Sequence, residues 1–83
     1  MKVRYFAWVR EKIGRAEEDV SVPAHVATIA DLVEWLKARG PEYAAAFERG
    51  EVIRAAVDQS HAPRSARLVG VREVAFFPPV TGG

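Results

Sequence analysis

Apolar residues change their spacing several times along the chain, and each change marks a new element. Residues 2–9, Lys-Val-Arg-Tyr-Phe-Ala-Trp-Val, alternate in part and are rich in aromatic and β-branched types, which suits a strand between two covered surfaces. The charged residues 10–15, with Gly14 among them, read as a turn or short helical loop. Residues 19–23 then read as a second strand with Val20 and Val22 on one face, so that the opening forms a hairpin. Thr28-Ile29-Ala30-Asp31 has the form of a capping box, in which the threonine oxygen and the acid three residues on each accept a backbone N–H. Ile29, Leu32, Val33 and Leu36 follow at helical spacing, with Asp31, Glu34 and Lys37 turned to water, and Gly40-Pro41 stops the run.

Pro41 suits the first position of a second, short helix, because its missing N–H has no helical partner there. Residues 42–49 are alanine-rich, with Tyr43 and Phe47 four apart, and Gly50 closes them. Residues 52–57 and 73–77 are the remaining strands, joined by a polar, proline-containing connection around residues 58–67. The order is strand, strand, helix, short helix, strand, strand, an α+β layout. Its long helical crossover allows strands on either side to pair in parallel. A sheet on one main helix is the simplest way to hide the apolar stripe of residues 29–36.

The chain's 83 residues give room for a single core, since a domain of this size buries only about 60% of its unfolded surface. The expected organisation is a domain over residues 1–77 and an extended tail over 78–83. A net charge of +1 from 12 basic and 11 acidic side chains leaves no field to gather nucleic acid or anionic lipid. With zero cysteines, any sulfur chemistry has to proceed without a side-chain thiol. No apolar run approaches the ~20 residues of a membrane span, and a cytoplasmic protein is expected.

Phe76-Phe77-Pro78-Pro79-Val80-Thr81-Gly82-Gly83 asks for a separate explanation. The two prolines cannot donate to a sheet ladder, so pairing has to stop at Phe77, and they bias the chain toward an extended path outward. Six residues at about 3.1 to 3.3 Å each reach on the order of 20 Å, enough to enter another protein's active site. Two glycines present no side chain to a narrow tunnel and tolerate almost any dihedral. The competing explanation is a frayed end or an expression scar. At average glycine usage of ~7%, a closing Gly-Gly pair arises by chance about once in two hundred chains.

Residues 73–83, Glu-Val-Ala-Phe-Phe-Pro-Pro-Val-Thr-Gly-Gly, resemble the C-terminal signature of the molybdopterin synthase small-subunit family. Residues 3–11, with Phe6-Ala7 and Arg10-Glu11 followed by Gly14, look like that family's first strand and turn, and Ala55-Ala56-Val57-Asp58-Gln59 resembles its third-strand motif. Length and element order agree over the whole chain. Two features depart from the family pattern: Asp58 stands where asparagine is usual, and Val69-Gly70-Val71-Arg72 replaces an acidic Gly-Asp turn.

The resemblance implies a ubiquitin-like β-grasp, with a mixed four- to five-stranded sheet on one main helix. It implies that an ATP-dependent activating enzyme adenylates the Gly83 carboxyl and a sulfur donor converts it to a thiocarboxylate. By the same resemblance the tail enters a synthase large subunit and passes sulfur to cyclic pyranopterin monophosphate, with Phe76, Phe77, Pro78, Pro79, Val80, Thr81 and Gly82 contacting the partner. No bound cofactor is implied, because ATP is used by the activating enzyme. Rival readings are a sulfur donor for thiamine thiazole, a ubiquitin-like modifier joined to lysines, and a binding module with an inert tail.

Other candidates have plainer readings. His25 and His61 lack neighbours at metal-ligand spacing. Glu17-Glu18-Asp19 reads as a solvated edge, and Arg64, Arg67 and Arg72 as a solvated loop. Trp8 and Trp35 read as core or helix-packing residues. Phe76 and Phe77 should point to opposite faces, one into the core and one toward a partner.

Overall fold

The computed structural model describes residues 1–79. The chain opens with β1 (Lys2–Tyr5) and turns at once into α1 (Ala7–Ile13), so residues 7–9, expected to prolong the first strand, instead begin a helix. The reason lies in their spacing. Val9 and Ile13, four apart, are both buried, and Trp8 stacks under Lys12, whose Nζ is 5.7 Å from the ring centroid. Gly14 ends the helix at φ 89°, its N–H donating to the Arg10 carbonyl at 2.8 Å, a left-handed cap that glycine adopts without a Cβ clash.

The second strand, β2 (Glu17–Asp19), lies earlier than the expected residues 19–23. It pairs antiparallel with β1 through Lys2↔Asp19, Val3↔Glu18 and Arg4↔Glu17. Buried Val20 donates its N–H to the Met1 carbonyl at 2.9 Å and ends the pairing.

The helix α2 (Ile29–Lys37) starts on the expected capping box. Thr28 Oγ1 accepts the Asp31 N–H at 3.2 Å, and Asp31 Oδ2 accepts the Thr28 N–H at 3.2 Å and the Ala27 N–H at 3.1 Å. The Ala27 amide, and after it the Thr28 backbone and hydroxyl, hold the Asp31 carboxyl below the usual carboxylate range. Ile29, Leu32, Val33 and Leu36 are buried on one face. Pro41 opens α3 (Pro41–Ala46), whose Tyr43 and Ala46 are buried together with Phe47 just beyond it.

A 3-10 turn (Gly50–Val52) leads into β3 (Arg54–Val57). The connection expected after it contains a further strand, β4 (Ser60–Ala62), joined to β3 through the two-residue turn Asp58-Gln59. Both turn residues have positive φ, 46° and 72°, the tight hairpin turn whose twist matches the flanking strands and which aspartate tolerates better than most residues. Last comes β5 (Glu73–Phe77).

The five strands lie in the order β2-β1-β5-β3-β4. β1 and β5 are parallel, and the other pairs are antiparallel. The last strand is therefore the middle of the sheet, hydrogen-bonded on both sides. Val3, Tyr5, Val74 and Phe76 face the apolar stripe of α2 in one core. The Phe76 ring meets Phe47 edge-on at 5.2 Å and stacks on Tyr5 at 6.5 Å. This mixed five-stranded sheet wrapped on one main helix is a ubiquitin-like β-grasp, the fold implied by the sequence.

Candidate functional site

The site begins where the central strand ends. Phe76 pairs with Tyr5 of β1 and Phe77 with Arg54 of β3, so the base of the tail is held from both sides. The two rings part as the strand pleat requires. Phe76 is fully buried, so of this pair only Phe77 offers a surface to a partner in the folded chain. Phe77 is half-buried on the outer face of the sheet, where its ring meets His61 edge-on at 5.3 Å. On the neighbouring strand end, Phe6 is 39% exposed and lies under the Arg4 guanidinium at 5.1 Å. Phe6 also donates its N–H to the Phe76 carbonyl at 3.0 Å.

Pro78 and Pro79 follow, both half-buried. Neither has an N–H to continue the ladder. Val80, Thr81, Gly82 and Gly83, the remaining expected site residues, lie outside the described residues.

The start of β5 is fixed by Asp58. Its Oδ1 accepts the Arg72 N–H at 3.1 Å and the Glu73 N–H at 2.9 Å, tying the β3–β4 turn to the strand that carries the tail. An asparagine carbonyl oxygen offers the same acceptor geometry, so this departure from the family pattern keeps the interaction. At the other departure, Gly70 has φ 77° and Val69 is 87% exposed.

A polar cluster on the core face has no counterpart in the sequence reading. Glu18, on the strand read as a solvated edge, has a side chain only 6% exposed. Its Oε2 accepts the Tyr5 hydroxyl at 2.8 Å and the Tyr43 hydroxyl at 2.6 Å, and its Oε1 accepts Arg39 at 2.9 Å and Arg15 at 3.2 Å. Burial opposes the charge on Glu18, but the hydrogen bonds from Tyr43, Tyr5 and Arg39 outweigh it and hold the carboxyl below its usual range. Burial first, and then the bond to Glu18, push the phenols of Tyr5 and Tyr43 upward. The signal available beforehand was that two tyrosines at core positions each need a partner for the hydroxyl. The cluster joins β2, β1 and α3 at the side of the sheet opposite β4.

Among the described residues no group of three or more His, Asp or Glu side chains is placed to hold a metal ion. Nor is any helix among them long and apolar enough to cross a membrane. What the arrangement can do chemically is present the end of a rigid central strand to another molecule.

Comparison with known proteins agrees with this arrangement. The model of the ThiS family matches residues 3–83. The chain is 40% identical over 83 residues to the molybdopterin synthase sulfur carrier subunit of Escherichia coli (strain K12), covering 100% of this chain and 99% of that protein. It is 35% identical to the subunit of the same name from Haemophilus influenzae (strain ATCC 51907 / DSM 11121 / KW20 / Rd), with the same coverage of 100% and 99%. Among solved structures, SAMP1 from Haloferax volcanii matches with a TM-score of 0.74 at 26% identity, covering 100% of this chain and 98% of that one.

Proposed function

The chain belongs to the ThiS family, and from that premise we propose that it is the sulfur carrier subunit of a molybdopterin synthase. The observation that carries this reading is end-to-end identity of 40% to a subunit of that name. The Gly82-Gly83 end that follows the diproline supports it.

The carboxylate of a terminal Gly83 has an ordinary pKa of about 3.5, is ionised at neutral pH and is a poor electrophile. Activation has to precede sulfur transfer. An activating enzyme joins the carboxylate to AMP with loss of pyrophosphate, and a sulfur donor displaces AMP to leave a thiocarboxylate. The loaded tail then enters the large subunit, where its sulfur passes to cyclic pyranopterin monophosphate. Water takes the place of sulfur, and the carrier returns as a carboxylate. On this reading the ATP-dependent steps run in the cytoplasm.

The carrier's own contribution is positional. The paired central strand holds the base of the tail, Phe77, Pro78 and Pro79 meet the partner, and residues 80–83 form the arm that reaches into it. The large subunit supplies the acid and base groups.

The test is to co-express the chain with its cognate activating enzyme and sulfur donor, and then to weigh it intact. A gain equal to the difference between one sulfur and one oxygen, located by fragmentation at Gly83, is the expected result. A lysine-linked conjugate without any thiocarboxylate contradicts the carrier reading and supports a modifier.

A further inference from the structure

Pro78 and Pro79 lie half-buried against the domain, so a protein that receives the tail meets the domain around Pro79.

A groove of about 400 Å³ opens at that place, between α1 and α3, with Pro79 as one wall. Its apolar lining includes the half-buried Trp8 and Val52, and Ala45 leaves it open because its side chain is a single methyl group. Lys12 and Arg49 stand on the rim, with Glu48 as the one acid beside them. Lys12 lies over the Trp8 ring at 5.7 Å. Among the described residues Arg49 pairs with Glu51 at 3.8 Å, the two side chains 76% and 71% exposed, and such pairs contribute little and exchange readily.

We propose that this groove is a docking surface for the synthase large subunit, accepting an apolar side chain of that subunit with a carboxylate next to it. The proposal rests on the carrier reading given above. The half-buried indole supplies the apolar surface that commonly anchors an interface, and the two rim cations select the acidic neighbour.

Titration calorimetry of the full chain with its cognate large subunit tests it, using Ala45→Glu and Lys12→Glu. Both positions are exposed, and glutamate is a good helix former, so melting temperature should match the parent. Ala45→Glu fills the groove and repels the incoming carboxylate, and at least a tenfold loss of affinity is expected. Lys12→Glu should cost several-fold and flatten the salt dependence. Parent-like affinity, within twofold, in both variants overturns the groove proposal while leaving the carrier reading in place. If the parent chain itself does not bind the large subunit, the groove proposal falls. Thiocarboxylate loading of the same sample then decides whether the carrier reading falls with it.

Discussion

Replacing Glu18 by alanine removes the acceptor on which four donors converge, and the cost can be worked out partner by partner. The Tyr5 hydroxyl is the most enclosed, on a residue 1% exposed. Leaving such a donor without a partner costs about 1 to 3 kcal/mol. Tyr43 and Arg39 lie nearer solvent and water can replace Glu18 for them, so together they add about 1 kcal/mol. Arg15 has a side chain 55% exposed, and its pair contributes close to nothing. The sum is about 2 to 4 kcal/mol, against a total stability of about 5 to 15 kcal/mol for a natural domain. Glu18→Ala should therefore fold, with a melting temperature lower by roughly 8 to 32 °C, at about 4 to 8 °C per kcal/mol for a chain of this size. Calorimetry or circular dichroism measures it directly. Tyr43→Phe, which removes one of the bonds and leaves Glu18 its other donors, should cost only about 1 kcal/mol. A Glu18→Ala melting temperature within about 3 °C of the parent refutes the reasoning.

The same cluster sets the pH response. Glu18 has a folded-state pKa below its unfolded value, so its stabilisation is complete above the unfolded value of about 4.3 and is lost as pH falls through the folded one. Tyr5 and Tyr43 are raised, so theirs is present below about pH 10 and is lost above it. Denaturant midpoints against pH should show both shoulders, and Glu18→Gln should flatten the acid one. Phe76→Ala opens a cavity under Phe47 and Tyr5 and should cost about 3 to 5 kcal/mol. Phe77→Ala should instead leave thermal stability nearly intact and weaken binding to the large subunit, as melts and titrations on both variants can check. Asp58→Ala loses two acceptor bonds and puts a Cβ without a capping oxygen at φ 46°, for about 1 to 3 kcal/mol. Asp58→Asn should stay within about 0.5 kcal/mol of the parent in chemical denaturation.

Much of the β-grasp was legible because local chemistry and global packing agreed. The capping box at Thr28 and Asp31, the stripe from Ile29 to Leu36 and the proline opening α3 all form as their spacing dictates. Residues 7–9 were misjudged because Trp8 and Val9 suit a strand by residue type, while the spacing of Val9 and Ile13 and the glycine cap belong to a helix. β4 was missed because the turn residues Asp58-Gln59 and polar Ser60-His61 resemble loop composition. Its pairing is a property of the sheet it joins. The Glu18 cluster was illegible for a related reason: its donors come from residues 5, 15, 39 and 43, and no local pattern ties them together. At the tail base, the division between Phe76 and Phe77 followed from strand alternation, whereas the groove beside Pro79 depends on how α1 and α3 meet.

The central claim is that sulfur travels on the end of this chain, and single-turnover transfer tests it most directly. Thiocarboxylated chain is mixed with the cognate large subunit and cyclic pyranopterin monophosphate, without activating enzyme or sulfur donor, and the carrier's mass and the dithiolene product are followed together. The account predicts that the mass returns to that of the carboxylate form in step with product. Each dithiolene should consume two loaded tails, one for each sulfur. Dithiolene forming at the parent rate from a chain extended by one residue past Gly83, without prior trimming, contradicts the account.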